Sequence, residues 1–181
     1  MWLTVAVVGI AVAMLAPEES RAQAKCPWLN AATAGGLLGG DVQMTVTMTP
    51  QADADKATDQ DGYSTPEQRF NRPDALCEFS RKADSGMYTL RIDVKTMTDP
   101  AEQFASFLSL CGGQTVALRG IGNEAVQCVM RNNPDMAHEQ VIARVRERAF
   151  VLTVSRPATP ARNGLSDDTR NIAEQVAGSI F

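Results

Sequence analysis

Apolar residues run along this chain in three rhythms, and each predicts a different kind of element. The first is a block. Trp2 to Ala16 is a charge-free apolar run of 15 residues, followed by the polar stretch Pro17 to Arg21 and then by Ala22-Gln23-Ala24. That order reads as a secretory signal, with cleavage expected after Ala24. A bilayer crossing needs about 20 apolar residues, so an anchor formed by an uncleaved N-terminal segment is the weaker alternative. No Lys or Arg precedes the run. The positive flank is therefore left to the terminal amine or to a start further upstream. Lipid attachment at Cys26 is not expected, because Gln23-Ala24-Lys25 is not a small-residue lipobox.

The second rhythm has period two. Val42, Met44, Val46 and Met48 alternate with Gln43, Thr45, Thr47 and Thr49, the pattern of a strand with one buried face. Further strands are predicted at about Leu76–Arg81, Tyr88–Thr96, Ala125–Met130, Gln140–Arg146 and Phe150–Ser155. The last two are joined as a hairpin through Glu147-Arg148-Ala149.

The third rhythm is helical. A helix from about Trp28 to Leu38 should stop at Gly39-Gly40. A second opens at Asp99-Pro100 and carries Phe104, Phe107, Leu108 and Cys111 on one face, with Gly112-Gly113 closing it. A third is capped by Ser166, has Asp167 and Asp168 at its positive end, and repeats Ile172, Val176 and Ile180 every four residues. Residues 50–72 are rich in Pro, Gly, Asp, Gln and Ser and read as a flexible loop. The predicted order is α-β-β-β-α-β-β-β-α, an α+β domain with a mainly antiparallel sheet and helices packed on one face.

Charge and cysteine content narrow the class. The chain has 17 Lys and Arg against 21 Asp and Glu. Removal of residues 1–24 takes Glu18, Glu19 and Arg21 and leaves 157 residues at a net charge of about −3. That length suits one domain with its own core, and the acidic balance argues against nucleic acid as a partner. Cys26, Cys77, Cys111 and Cys128 all lie in the exported part, where an even number implies two disulfides. Three pairings are open. Cys26–Cys77 with Cys111–Cys128 is favoured, tying the first helix to a strand and the second helix to the strand after it. A zinc site is disfavoured, since no two cysteines stand at Cys-x-x-Cys spacing and His138 is the single histidine.

Cys-Pro-Trp-Leu-Asn at 26–30, Cys77-Glu-Phe79, the turn Gly120-Ile-Gly-Asn-Glu-Ala125, and Val145-Arg146 leading into Phe150–Val154 carry a resemblance. Together they resemble an uncharacterised family of small exported acidobacterial and actinobacterial proteins and lipoproteins, similar also to the extracellular sensor domains of mycobacterial serine/threonine kinases. The resemblance implies an α+β sandwich, supports pairing Cys26 with Cys77, and implies binding or sensing rather than catalysis. Membrane tethering is not carried over, because the lipobox is missing.

Several stretches invite sharper chemistry. Gly120-x-Gly122-x-x-Ala125 matches the dinucleotide fingerprint, yet a strand rather than a helix is predicted to follow, so a tight turn is expected. Asp59, Asp61, Gly62 and Glu67 fit a calcium-loop template poorly: with Gly62 at the sixth position, Ala57 falls at the first and Gln68 at the twelfth. His138 lies in the polar segment Asn132–Gln140 and is expected in a surface turn rather than facing a nucleophile. No serine sits in a Gly-x-Ser-x-Gly elbow, and oxidised cysteines are not nucleophiles. The pairs Asp53/Asp55 and Asp167/Asp168 are explained by solvation and by the helix dipole. Arg144, Arg146 and Arg148 alternate along a strand and into its turn, and at least the first two are expected on one face. They are the candidate anion- or partner-binding residues, the competing reading being a solvated sheet face balanced by Glu139, Glu147 and the acidic loop. The sequence thus predicts a secreted or periplasmic, non-enzymatic, sensor-like domain with no catalytic residues, metal or cofactor. Its partner would be a small molecule or an envelope protein. A structural or protein-interaction module of the envelope is the alternative, and a hydrolase ranks last.

Overall fold

The structure, a computed structural model, describes residues 24–48, 74–111, 114–128, 135–158 and 166–181. The expected signal segment up to Gln23, the expected loop at 50–72 and the calcium-loop candidates within it lie outside the described residues.

Among the described residues seven strands form one antiparallel sheet in the order β1-β2-β3-β7-β6-β5-β4, accompanied by three helices. The strands are β1 (Gln43–Met48), β2 (Ala75–Ala83), β3 (Gly86–Thr96), β4 (Thr115–Leu118), β5 (Glu124–Cys128), β6 (Met136–Val145) and β7 (Arg148–Pro157). The helices are α1 (Ala31–Leu38), α2 (Pro100–Leu108), which continues into a 3-10 turn at Ser109–Cys111, and α3 (Asp167–Ile180). The α+β class and the predicted element order hold, with one strand more than expected. The added strand, β4, is an edge strand with Thr115, Val116 and Ala117 all exposed, so no alternation of burial marks it in the sequence.

The helix ends follow their local chemistry. α1 begins at Ala31 rather than near Trp28, because the Asn30 side chain caps it by accepting from Thr33 N at 2.8 Å. It ends at Gly39 in the left-handed conformation, φ 83°, with Arg81 Nη1 donating to the Leu38 carbonyl at 2.9 Å. Asp99 caps α2 with Pro100 at its first position, and Ser166 caps α3 by accepting from Thr169 N at 3.3 Å.

The sheet has two dissimilar faces. On the first, Cys77, Phe79, Leu90, Ile92, Phe150, Leu152 and Val154 are buried under Ala34 and Leu38 of α1 and Ile172, Ala173 and Val176 of α3. Full burial of side chains this size contributes about 1.5–3 kcal/mol each, so the first face carries most of the hydrophobic drive. On the second, Phe104 and Phe107 of α2 cover Ile142, Ala149 and Val151. The expectation of helices on one face therefore holds for α1 and α3 and is corrected for α2. The reason lies in β6 and β7, where Val141-Ile142-Ala143 and Ala149-Phe150-Val151-Leu152 are buried without alternation, so these strands have apolar residues for both faces.

Both favoured disulfides are present. Cys26–Cys77 pins the segment before α1 to β2, and Cys111–Cys128 pins the end of α2 to β5.

Candidate functional site

Helix α2 packs on β6 and β7, and among the described residues no helix packs on the β1–β2–β3 half of the second face. The sheet register assembles a polar strip there and carries it onto the ends of β7 and β6. Ser80, Thr89, Ser155 and His138 lie opposite one another across β2, β3, β7 and β6. The neighbouring row on the same face is Glu78, Arg91, Thr153 and Gln140. Side chains in paired positions stand within reach of each other. His138 Nδ1 and Ser155 Oγ are 2.9 Å apart, and Gln140 Nε2 donates to Thr153 Oγ1 at 3.3 Å. Arg91 forms a two-bond fork with Asp93, Nε to Oδ2 and Nη2 to Oδ1 both at 2.8 Å. The hydrogen bond to Asp93 raises the Arg91 pKa above its ordinary value, against a smaller opposing effect of burial. Gln140 Oε1 is buried and has no hydrogen-bond partner among the described residues.

His138 therefore sits half-buried within β6, which begins at Met136, four residues before the predicted start at Gln140, and not in a surface turn. Its proximity to a serine has the outline of a nucleophile and base. Two features of hydrolytic sites are missing among the described residues. No carboxylate orients the imidazole, and Ser155 lies within a strand paired on both sides, where backbone N–H groups serve the ladder instead of gathering into an oxyanion hole. What the strip can do is bind, through fixed donors and acceptors on a stiff sheet.

The arginine candidates separate. Arg144 Nη2 donates to Glu124 Oε1 at 2.6 Å, and its guanidinium lies 6.0 Å from the Phe104 ring centre on the α2 side. Arg146 is not on the strand. β6 ends at Val145, and Arg146 with Glu147 forms the two-residue turn into Arg148, with Arg146 at φ 53°. Its guanidinium lies 4.9 Å from the ring centre of Phe181, beyond α3. The expectation that Arg144 and Arg146 share a face is thus corrected by the early end of β6, since the two stack on aromatics of helices on opposite faces. The balancing role assigned to Glu139 is corrected as well. Glu139 is buried on the α3 side, accepts from Arg156 Nη2, and accepts from Ser166 Oγ at 2.8 Å and Ser166 N at 3.2 Å.

The Gly120–Gly122 segment is the loop of the β4–β5 hairpin, with φ 84° and 59° at the two glycines and a strand after it. Among the described residues no group of His, Cys, Asp or Glu is placed to hold a metal ion. Sequence reasoning missed Ser155, Thr153, Gln140 and the Arg91–Asp93 fork. The available signal was the period-two polar spacing at the ends of β6 and β7, beside the stronger apolar runs at their centres. Comparison with protein-family models, curated proteins and solved structures returns no match.

Proposed function

We propose that this chain is an exported, non-enzymatic binding domain of sensor-like type whose ligand surface is the polar strip that runs across β2 and β3 onto the ends of β7 and β6 on the second face of the sheet. The observation that carries the reading is the unpartnered Gln140 Oε1 amid His138, Ser155 and Thr153, half-buried groups held by each other on a sheet braced from behind by α1 and α3. A buried acceptor left open is costly to a fold and is rewarded when a ligand donates to it. The two disulfides suit an oxidising compartment, and no helix among the described residues is long and apolar enough to cross a membrane. The apolar run at residues 2–16 supplies the route of export.

The test is a thermal-shift panel of neutral metabolites and cell-wall fragments, read on the oxidised chain and on His138→Ala with Gln140→Ala. The expected result is a stabilising compound whose effect the double variant loses. If every shift persists in the variant, the strip is not the site. If no compound shifts the melting temperature and one envelope protein co-purifies with the chain, the interaction-module reading replaces this one.

A further inference from the structure

The turn between β6 and β7 is built against the local preferences of its residues. A two-residue hairpin turn with positive φ at its first position favours Gly, Asn or Asp there, yet Arg146 occupies it at φ 53°, the one non-glycine residue with positive φ among the described residues. Its surroundings hold it in place. Arg146 N donates to Asn123 Oδ1 at 2.6 Å, Asn123 N donates to the Arg144 carbonyl at 2.8 Å, and Met97 N donates to the Glu147 carbonyl at 2.6 Å. The tip is thus clamped from the β4–β5 loop and from the end of β3. Backbone strain maintained by its neighbours points to a role for the side chain it presents.

That side chain is exposed, as are Glu147 and Arg148. Arg144, two residues earlier, is neutralised by Glu124, whereas Arg146 and Arg148 make no ion pair among the described residues. The Arg146 guanidinium lies over the exposed ring of Phe181. We infer that this tip is a docking point for the carboxylates of an acidic protein segment, with Arg146 and Arg148 as the anion-binding residues.

Three features of the tip favour that partner over other anions. An extended polyanion is held by contacts to many Lys and Arg spread along its length, and the tip offers two. Anionic lipid surfaces are recognised by clusters of about 4–8 Lys and Arg, more than the tip offers. Arginine beside an exposed aromatic ring is instead the composition of protein-interface hot spots, and a rigid turn lowers the entropy lost on docking.

The experiment measures binding of the oxidised full chain to an oligo-glutamate peptide, a length-matched oligo-glutamine peptide and phosphatidylglycerol vesicles. The variants are Arg148→Gln, Arg146→Gly and their combination. Binding to oligo-glutamate alone is expected, with a loss of at least about tenfold in the combined variant. Arg146→Gly should also raise the melting temperature, because glycine relieves the positive φ, and this separates loss of binding from loss of fold. Equal binding by wild type and the combined variant overturns the inference, as does no wild-type binding to oligo-glutamate. Equal affinity for oligo-glutamine, arginine-dependent binding to the vesicles, or a lower melting temperature for Arg146→Gly overturns it too. None of these residues belongs to the strip around His138, so the two readings fail independently.

Discussion

Ser166 Oγ lies 2.8 Å from Oε2 of the buried Glu139, so a carboxylate from β6 holds the residue that caps α3. The same carboxylate accepts from Arg156 of β7 and from Ser166 N, and Ser166 Oγ reaches Thr169 Oγ1 at 2.9 Å. Two strands and a helix end thus meet at one charge that is only 6% exposed. Replacing Glu139 by Gln keeps the shape and removes the charge to which Arg156 and Ser166 donate. A loss of about 2 kcal/mol is expected, because a buried set of hydrogen bonds to a charged acceptor is replaced by weaker neutral ones. Urea denaturation of the oxidised chain checks this, the midpoint falling while the slope is unchanged. A loss under about 1 kcal/mol would mean that the pair does not hold α3 in place.

The disulfides should contribute unequally. Cys26–Cys77 closes a separation of 51 residues and Cys111–Cys128 one of 17. Chain entropy then assigns about 4 and about 3 kcal/mol. Paired Cys→Ser substitutions, compared by denaturant midpoint, are expected to place the 26/77 variant about 1 kcal/mol below the 111/128 variant. The reverse order would show that anchoring α2 on the second face outweighs loop length.

Gly120 and Gly122 share a loop and a left-handed backbone, at φ 84° and 59°, but not their surroundings. A Cβ at Gly120 would meet open space. At Gly122 it would meet the Arg144 carbonyl and come within 2.9 Å of Val145 Cγ2. Gly120→Ala should therefore cost about 1 kcal/mol, the conformational penalty alone. Gly122→Ala adds overpacking against β6 and should cost about 3 kcal/mol, read as the difference in melting free energy. Equal costs would dissociate the loop from the β6–β7 turn that it is argued to clamp.

How far the sequence disclosed this molecule depended on whether burial alternated. β3 was legible because Leu90, Ile92 and Val94 are buried between polar neighbours, and α3 because Ile172, Val176 and Ile180 line one face. The second face was not legible. β6 and β7 bury consecutive residues, which leaves no one-sided period to say that α2 covers the opposite side, and β4 buries almost nothing. The arginines failed for a related reason. Alternation was extended one residue past Val145, where the chain turns, and positive φ at an arginine has no signature in composition. Glu139 resembled surface charge until the fold laid α3 across it.

Ser155 provides the last test, because it separates the proposed binding role from the hydrolytic one. A serine nucleophile needs a base, a group orienting that base, and donors for the developing oxyanion. Ser155 has the first, His138 Nδ1 at 2.9 Å, while Thr89 and His138 flank it in the ladders of β3 and β6. Without preorganised donors the barrier keeps several kcal/mol that a hydrolase would remove. A fluorophosphonate probe should consequently leave Ser155 unmodified after prolonged exposure, as judged by the mass of the β7 peptide. Ser155→Ala should change stability by under about 1.5 kcal/mol, the net value of one hydrogen bond. An adduct on Ser155 that disappears in His138→Ala would establish an activated serine and replace the binding-domain reading with a catalytic one.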